Sequence, residues 1–348
     1  MDILLIHQDP PVPCLYGFDV GLRELGHTVH RIGPRVDKPW GEDFYALEPD
    51  YKNMLVTVPD PYLPRFVEDS NADLVLWLQP SHPTLASGLL NCPVPTVAML
   101  TEDYKFSHAY QIARPLFDAC PTAIVQRAFD PRPVEWAPLF NFIGLQWLQP
   151  ADIGQPRVRD LAFVGYTNVH GVTEARDAEL NRVHFACADR SLSFDHTNGI
   201  YLRDQLDFYA ASRCVWQYPG QGHEDNLTYR AGEAMASGAV CIAKRPQHLG
   251  GLPEPWVEGE HILYYDTPEE CADIVEQMRT DIERWATIAV NALEWIERNP
   301  PAAQMERFLR DIVEPIRQAG VNKWRRHKTS IDEDSAARAY LAALGARP

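Results

Sequence analysis

The cysteines of this chain are not arranged for pairing. There are seven, at positions 14, 92, 120, 187, 214, 241 and 271, with no CxxC among them. An odd, scattered set of this kind argues against a disulfide framework or a zinc site and for reduced thiols. Long apolar runs are absent too, since no segment approaches the roughly 18 residues a membrane-spanning helix needs. The chain shows no internal repeat and no low-complexity tract. Basic residues are scarce: 32 Lys and Arg stand against 48 Asp and Glu, a formal charge of −16. That balance argues against a general nucleic-acid binder, which needs a positive face for phosphate. The opening MDILLI runs into a strand without a basic leader, so no signal peptide is expected and a cytoplasmic location is.

What is present reads as a globular α/β protein. Hydrophobic residues make up 45% and charged residues 23% of 348, a length that suits two domains. The apolar run Ile3 to Ile6 predicts a strand. Phe18 to Leu25 predicts an amphipathic helix stopped by Gly26, and His27 to Ile32 predicts the next strand. A βαβ opening implies a parallel, doubly wound sheet. Further strand-length runs follow at 73–78, 95–100 and 122–126. Residues 130–158 carry five prolines and read as a linker, after which Arg159 to Gly165 begins a second βαβ series. Helices are expected at 172–189, 201–211, 268–279 and 281–297. The organisation is therefore domains at 1–150 and 151–310, with a helical tail at 311–348.

The richest stretch runs from Tyr218 to Gly238, followed by the apolar strand Ala239 to Ala243. It reads as strand, Gly-rich loop, helix, stopping glycine and strand. A loop-to-helix junction presents unpaired N–H groups and the positive end of a dipole, both suited to an anion such as a diphosphate. Asp225 precedes Glu233 by eight residues. With a helix beginning near Asn226, Asp225 stands at its mouth and Glu233 about two turns inside, on roughly the same side. One carboxylate can then reach a sugar while the other accepts two hydroxyls of a ribose. Asp225 also suits an N-cap, and the two roles are compatible.

This segment resembles the donor-binding motif of GT-B-fold glycosyltransferases, in which an acid, seven residues and a glutamate precede Ala-Met-Ala-x-Gly. Asp225, Asn226, Arg230, Glu233, Ala234, Met235, Ala236 and Gly238 are most similar to the spore-maturation-type branch. Residues 207–215, 259–266 and 286–292 fit that branch as well. The resemblance implies two Rossmann-like domains facing across a cleft. It also implies a nucleoside-diphosphate sugar as co-substrate, no other cofactor and no metal, and an acceptor held mainly by the N-terminal domain. Because the motif is commoner in retaining members, it implies retention of configuration. Carried over by residue, Glu233 holds the ribose, while Asp225 and the backbone of Asn226, Leu227 and Thr228 face the sugar and diphosphate. Many members carry an Arg and a Lys after the first strand of the second domain. Here that loop, Gly165-Tyr166-Thr167-Asn168, has neither, and Arg230, Lys244 or Arg176 are the candidates to supply the charge. The loop itself suits either a donor contact or a plain tight turn. Tyr218, at the end of its strand, joins the donor-side candidates.

Candidate groups in the N-terminal domain sit at strand ends, where α/β sheets place ligands. Asp103 and His108 follow the strand ending at Leu100 and are candidate catalytic groups. His7 and Asp9 end the first strand and are candidates to line the acceptor side. The acceptor class stays open among glycan, small molecule, protein and nucleic acid. The basic cluster Lys323 to Lys328 reads as a solvated face, with a contact to an anionic acceptor or membrane surface as the alternative. Two other functions remain open: a sugar-nucleotide epimerase or hydrolase of the same fold, and a catalytically silent sugar-nucleotide-binding protein.

Overall fold

The computed structural model describes residues 1–7, 13–32, 63–78, 88–99, 117–119, 156–167, 174–200, 202–218, 229–245 and 256–319. The chain divides into two compact units. One comprises residues 1–138 and 301–348, and the other is the continuous stretch 139–300.

In the first unit, β1 (Asp2–His7), α1 (Pro13–Glu24) and β2 (Thr28–Ile32) form the expected βαβ start. Gly26 lies at φ 79°, the left-handed conformation that ends a helix at glycine. The helix α2 (Leu63–Ser70) precedes β3 (Leu74–Leu78), and β4 (Thr96–Met99) completes a parallel sheet ordered β2-β1-β3-β4. Ile3, Leu5, Leu74, Val75 and Ala98 are fully buried, which fits a sheet covered on both faces. A charged cluster is buried beside it. Asp19 of α1 receives Arg23 Nε at 2.9 Å and faces Arg31 Nη1 of β2 at 3.2 Å, so the aspartate is compensated where an unpaired carboxylate could not stay.

The second unit repeats the plan on a larger scale. Its elements are β5 (Arg159–Val164), α3 (Glu174–Asp189), β6 (Phe194–Thr197), α4 (Leu202–Ala210), β7 (Ser212–Gln217), α5 (Tyr229–Ala236), β8 (Val240–Lys244), β9 (Ile262–Tyr265), α6 (Pro268–Thr280) and α7 (Ile282–Arg298). The five strands are all parallel, in the order β6-β5-β7-β8-β9. Alternate strand residues feed two cores. Ala162, Val164, Val215, Cys241 and Ala243 pack with α4, α5 and the end of α7. Leu161, Phe163, Cys214, Trp216 and Ile242 pack with α3, α6 and the start of α7. The four buried cysteines of this unit are free thiols within these layers. The order of strands reverses between β5 and β7, so the carboxyl ends of those two strands form the switch point where such sheets take ligands.

After Asn299 the chain returns to the first unit. The helix α8 (Pro301–Phe308) lies on α1, Phe308 meeting Phe18 edge-on with ring centroids 6.0 Å apart. One turn of π-helix (Leu309–Val313) and α9 (Glu314–Ala319) follow. Among the described residues no helix is long and apolar enough to cross a membrane. The cluster at 323–328 lies outside the described residues.

Helices α1 and α8 touch at Gly21. A Cβ there would stand 2.9 Å from the Pro301 carbonyl oxygen and 2.6 Å from Met305 Cγ. On an open helix Gly→Ala stabilises by about 1 kcal/mol. Against an immovable backbone oxygen the overpacking cost of about 1–3 kcal/mol wins. Gly21→Ala is therefore expected to lower the urea unfolding midpoint. A raised midpoint would mean that α8 does not rest on this face.

Candidate functional site

The site is built around α5. Its sequence YRAGEAMA presents Ala231, Ala234 and Met235 to the sheet, all fully buried, so small side chains let the helix lie close to β7 and β8. It ends in a Schellman turn. Gly238, at φ 70°, donates to the Met235 carbonyl at 3.0 Å, and Ala239 donates to Ala234 at 3.1 Å. The chain passes straight from that turn into β8.

Glu233 lies four residues beyond the described start of α5 and is 7% exposed. Gln205 of α4, equally buried, donates its amide N–H to Glu233 Oε2 at 2.5 Å. Oε1 has no partner among the described residues. Burial pushes the Glu233 carboxyl up to about 7, while Arg230 and the Gln205 hydrogen bond pull it the other way. Carboxyl groups displaced in this way by burial cluster at functional sites.

Arg230 opens the same helix and reaches back to the sheet, its Nε donating to the Val164 carbonyl at 2.9 Å. Arg176 of α3 donates to the carbonyl of Tyr166. Both guanidinium groups lie over the Phe163 ring, Arg176 at 5.6 Å and Arg230 at 5.9 Å from its centroid. Two cations from different helices thus converge on the carboxyl end of β5. His196 of β6 stacks on the other side of this region, 5.4 Å from the Phe163 ring, with Nε2 2.8 Å from the Gly165 carbonyl. Gly165 is close-fitted: a Cβ would fall 2.5 Å from the Phe163 ring. Tyr166 is 51% exposed, and Thr167 follows it as the last described residue of the loop.

At the end of β7, Tyr218 stacks on Trp216 with centroids 5.7 Å apart, and Trp216 Nε1 donates to the Tyr265 hydroxyl at 2.8 Å. Lys244 goes elsewhere. It follows Ile242 onto the α3 side of the sheet, opposite α5, where Nζ lies 3.2 Å from Glu179 Oε1 and 2.5 Å from the Asp266 carbonyl.

The structure therefore brings Gly165, Tyr166, Thr167, Tyr218, Arg230 and Glu233 to the carboxyl end of one sheet; Tyr218 and Lys244 share its α3 side, where Lys244 is engaged by Glu179 and the Asp266 carbonyl. In the first unit, His7 ends β1 and pairs with Leu78 of β3 at that sheet's own switch point. Asp9, Asp103, His108, Asn168, Asp225, Asn226, Leu227 and Thr228 lie outside the described residues. Among the described residues no three His, Cys, Asp or Glu side chains gather as a metal site would.

Two residues were not singled out by sequence. Gln205 occupies the apolar stripe of α4 with Leu206, Tyr209 and Ala210, and a polar residue in such a stripe is the signal that was there to be read. Arg157, before β5, donates from Nη1 to the carbonyl of Ala210 and lies 3.3 Å from Ser212 O and 3.4 Å from Ser237 O. It ties the carboxyl ends of α4 and α5 together at the opposite end of the sheet, where a cation suits both helix dipoles. Nothing in its sequence context announces this.

Residues 164–311 match the family described as glycosyl transferase-like. No curated protein matches the chain by sequence. Among solved structures, HepE of Anabaena in complex with UDP superimposes with a TM-score of 0.53 at 16% identity, covering 90% of this chain and 100% of that one. A glycosyltransferase from Rickettsia africae gives 0.50 at 12%, covering 91% and 99%. The T4 phage β-glucosyltransferase in complex with UDP-glucose gives 0.51 at 11%, covering 90% and 99%. The chain has the fold of the GT-B glycosyltransferases, and the match to the glycosyl transferase-like family covers most of its second unit and continues from the start of α8 to residue 311.

Proposed function

We propose that the protein is a glycosyltransferase that moves a sugar from a nucleoside diphosphate to an acceptor, of the spore-maturation-type branch and with retention of configuration. The observation that carries the reading is Glu233, a buried carboxylate whose second oxygen has no partner among the described residues, beside the switch point of the second sheet. In this reading Oε1 accepts hydroxyl hydrogen bonds from the ribose. The loop containing Asp225, Asn226, Leu227 and Thr228 faces the sugar and diphosphate. Arg230 and Arg176, converging on the end of β5, meet the charge that develops there.

The C1–O bond to the diphosphate breaks and leaves its electron pair on the phosphate oxygen. The acceptor oxygen forms the new bond at C1 and gives up its proton. Arginine N–H groups already fixed against carbonyls need no reorganisation at that moment, which is why they lower the barrier. His7, Asp9, Asp103 and His108 of the first unit are the groups we assign to the acceptor and to the proton. Uridine is the base we expect, because HepE and the phage enzyme were solved with UDP or UDP-glucose.

A thermal-shift panel of UDP-, GDP-, ADP- and dTDP-sugars tests the donor. A UDP-sugar at about a hundred times its Kd should stabilise by about 2.7 kcal/mol, and Glu233→Ala should abolish the shift. An undiminished shift in that variant removes the ribose role. Release of UDP that depends on an added acceptor separates transfer from hydrolysis or epimerisation.

The raised carboxyl of Glu233 gives a second test. Its folded value, about 7, lies above the ordinary 4.5, so the protonated group binds its proton more tightly in the folded chain. The stability it lends is complete below about pH 4.5 and is lost as pH rises through about 7. At about 1.4 kcal/mol per unit the change is on the order of 3 kcal/mol. Glu233→Gln should flatten this part of the stability profile, measured by urea unfolding from pH 5 to 8. A slope of equal size in the variant would place the titration elsewhere.

A further inference from the structure

We propose that Gln205 is a positioning residue for nucleotide binding, fixing Oε2 of Glu233 so that Oε1 is presented to the ribose; this rests on the ribose role proposed above. The geometry comes first. Gln205 and Glu233 are on different helices, α4 and α5, and meet inside an apolar layer of Ala162, Val164, Leu206, Tyr209, Ala234 and Trp295. A carboxylate bonded through one oxygen cannot rotate freely about its last torsion, so the second oxygen keeps one direction.

The energetics favour a functional reason for the pair. A net intramolecular hydrogen bond contributes only about 1 kcal/mol. Replacing both partners of a buried polar pair by apolar groups of similar shape is often neutral or stabilising. Leu and Met at 205 and 233 would fill this layer without any desolvation. A sequence that keeps an amide in the apolar stripe of α4, opposite a carboxylate, gains direction for that carboxylate rather than stability.

Among the described residues, Arg230 is the ionised group that acts on Glu233. On the elements packed against α5, Asp204 and Asp207 of α4 and Glu294, Glu297 and Arg298 of α7 are exposed. Arg213 stands at the amino end of β7, and Lys244 lies on the other face of the sheet. Cys241 of β8 and Tyr264 of β9 share the layer and are kept neutral by burial. Gln205 stabilises the ionised form, so removing its N–H should make Glu233 a weaker acid.

The experiment measures UDP affinity by calorimetry from pH 5.5 to 8.5 for the full-length wild type, Gln205→Met, Gln205→Glu and Glu233→Gln. Met keeps the length and volume of Gln and removes the hydrogen bond. For wild type, affinity should rise with pH as Glu233 ionises. For Gln205→Met, affinity at neutral pH should fall roughly ten-fold, the scale of one hydrogen bond to a charged group. The midpoint of its pH profile should also move upward. Gln205→Glu sets two acids against one proton and should move the midpoint further in the same direction. A merely structural role would lower the melting temperature of Gln205→Met and leave the midpoint where the wild type has it, and that result overturns the proposal. If wild type itself does not bind UDP, or Glu233→Gln binds with an unchanged pH profile, it is the ribose reading that fails instead.

Discussion

The second unit is organised around keeping one carboxylate out of water. A charged Glu233 in an apolar layer would cost several kcal/mol unless it were paired and hydrogen-bonded. Among the described residues the fold supplies one amide from α4 and one guanidinium near enough to act on it, whose Nε is bonded to the Val164 carbonyl. The acid is therefore left close to its balance point near neutral pH. A group in that condition responds strongly to any further donor that arrives, and a pair of vicinal hydroxyls is such a donor.

That balance requires α4 and α5 to keep a fixed spacing. Several independent features hold it. Alanines at 231 and 234 let α5 sit low on the sheet, and Gly238 turns the chain into β8 without a linker that could flex. Arg157 clamps the carboxyl ends of both helices at the far end of the sheet and itself lies 5.2 Å from the Trp285 ring. The switch-point end and the anchored end of the same two helices are thus separated by the length of a strand. This division is common where a site must be accurate but its loops must admit a ligand.

Much of this was legible in the sequence, for reasons that differ by element. The central strands announce themselves because parallel, doubly covered strands need unbroken apolar runs, as Leu74–Leu78 and the first four residues of Val240–Lys244 show; the edge strands β2 and β6, with their polar residues, do so less. Glu233 is singled out in the sequence by its spacing and the Ala-Met-Ala-x-Gly that follows it, and the structure buries it on α5. The helix is described from Tyr229, which places Glu233 at least one turn inside it; residues 226–228, where its start was expected, lie outside the described residues. The direction of Lys244 was not legible, because the parity of a residue at a strand end depends on register and only the sheet fixes it. Gln205 and Arg157 were missed for a related reason. Each acts through a partner at least 28 residues away, and a distance in space of that kind leaves no local periodicity to detect.

The connectivity has a consequence for how the protein is made. Residues 139–300 form one continuous unit, whereas the other unit is completed only when α8 covers Gly21 and Phe18 of α1. A ribosome adding 5–20 residues per second needs on the order of ten seconds or more to translate the intervening segment. For that interval the apolar face of α1 has no cover, while the inserted unit already has its whole sheet. The nascent chain thus finishes the unit of residues 139–300 first, while one apolar helix face stays exposed until α8 emerges.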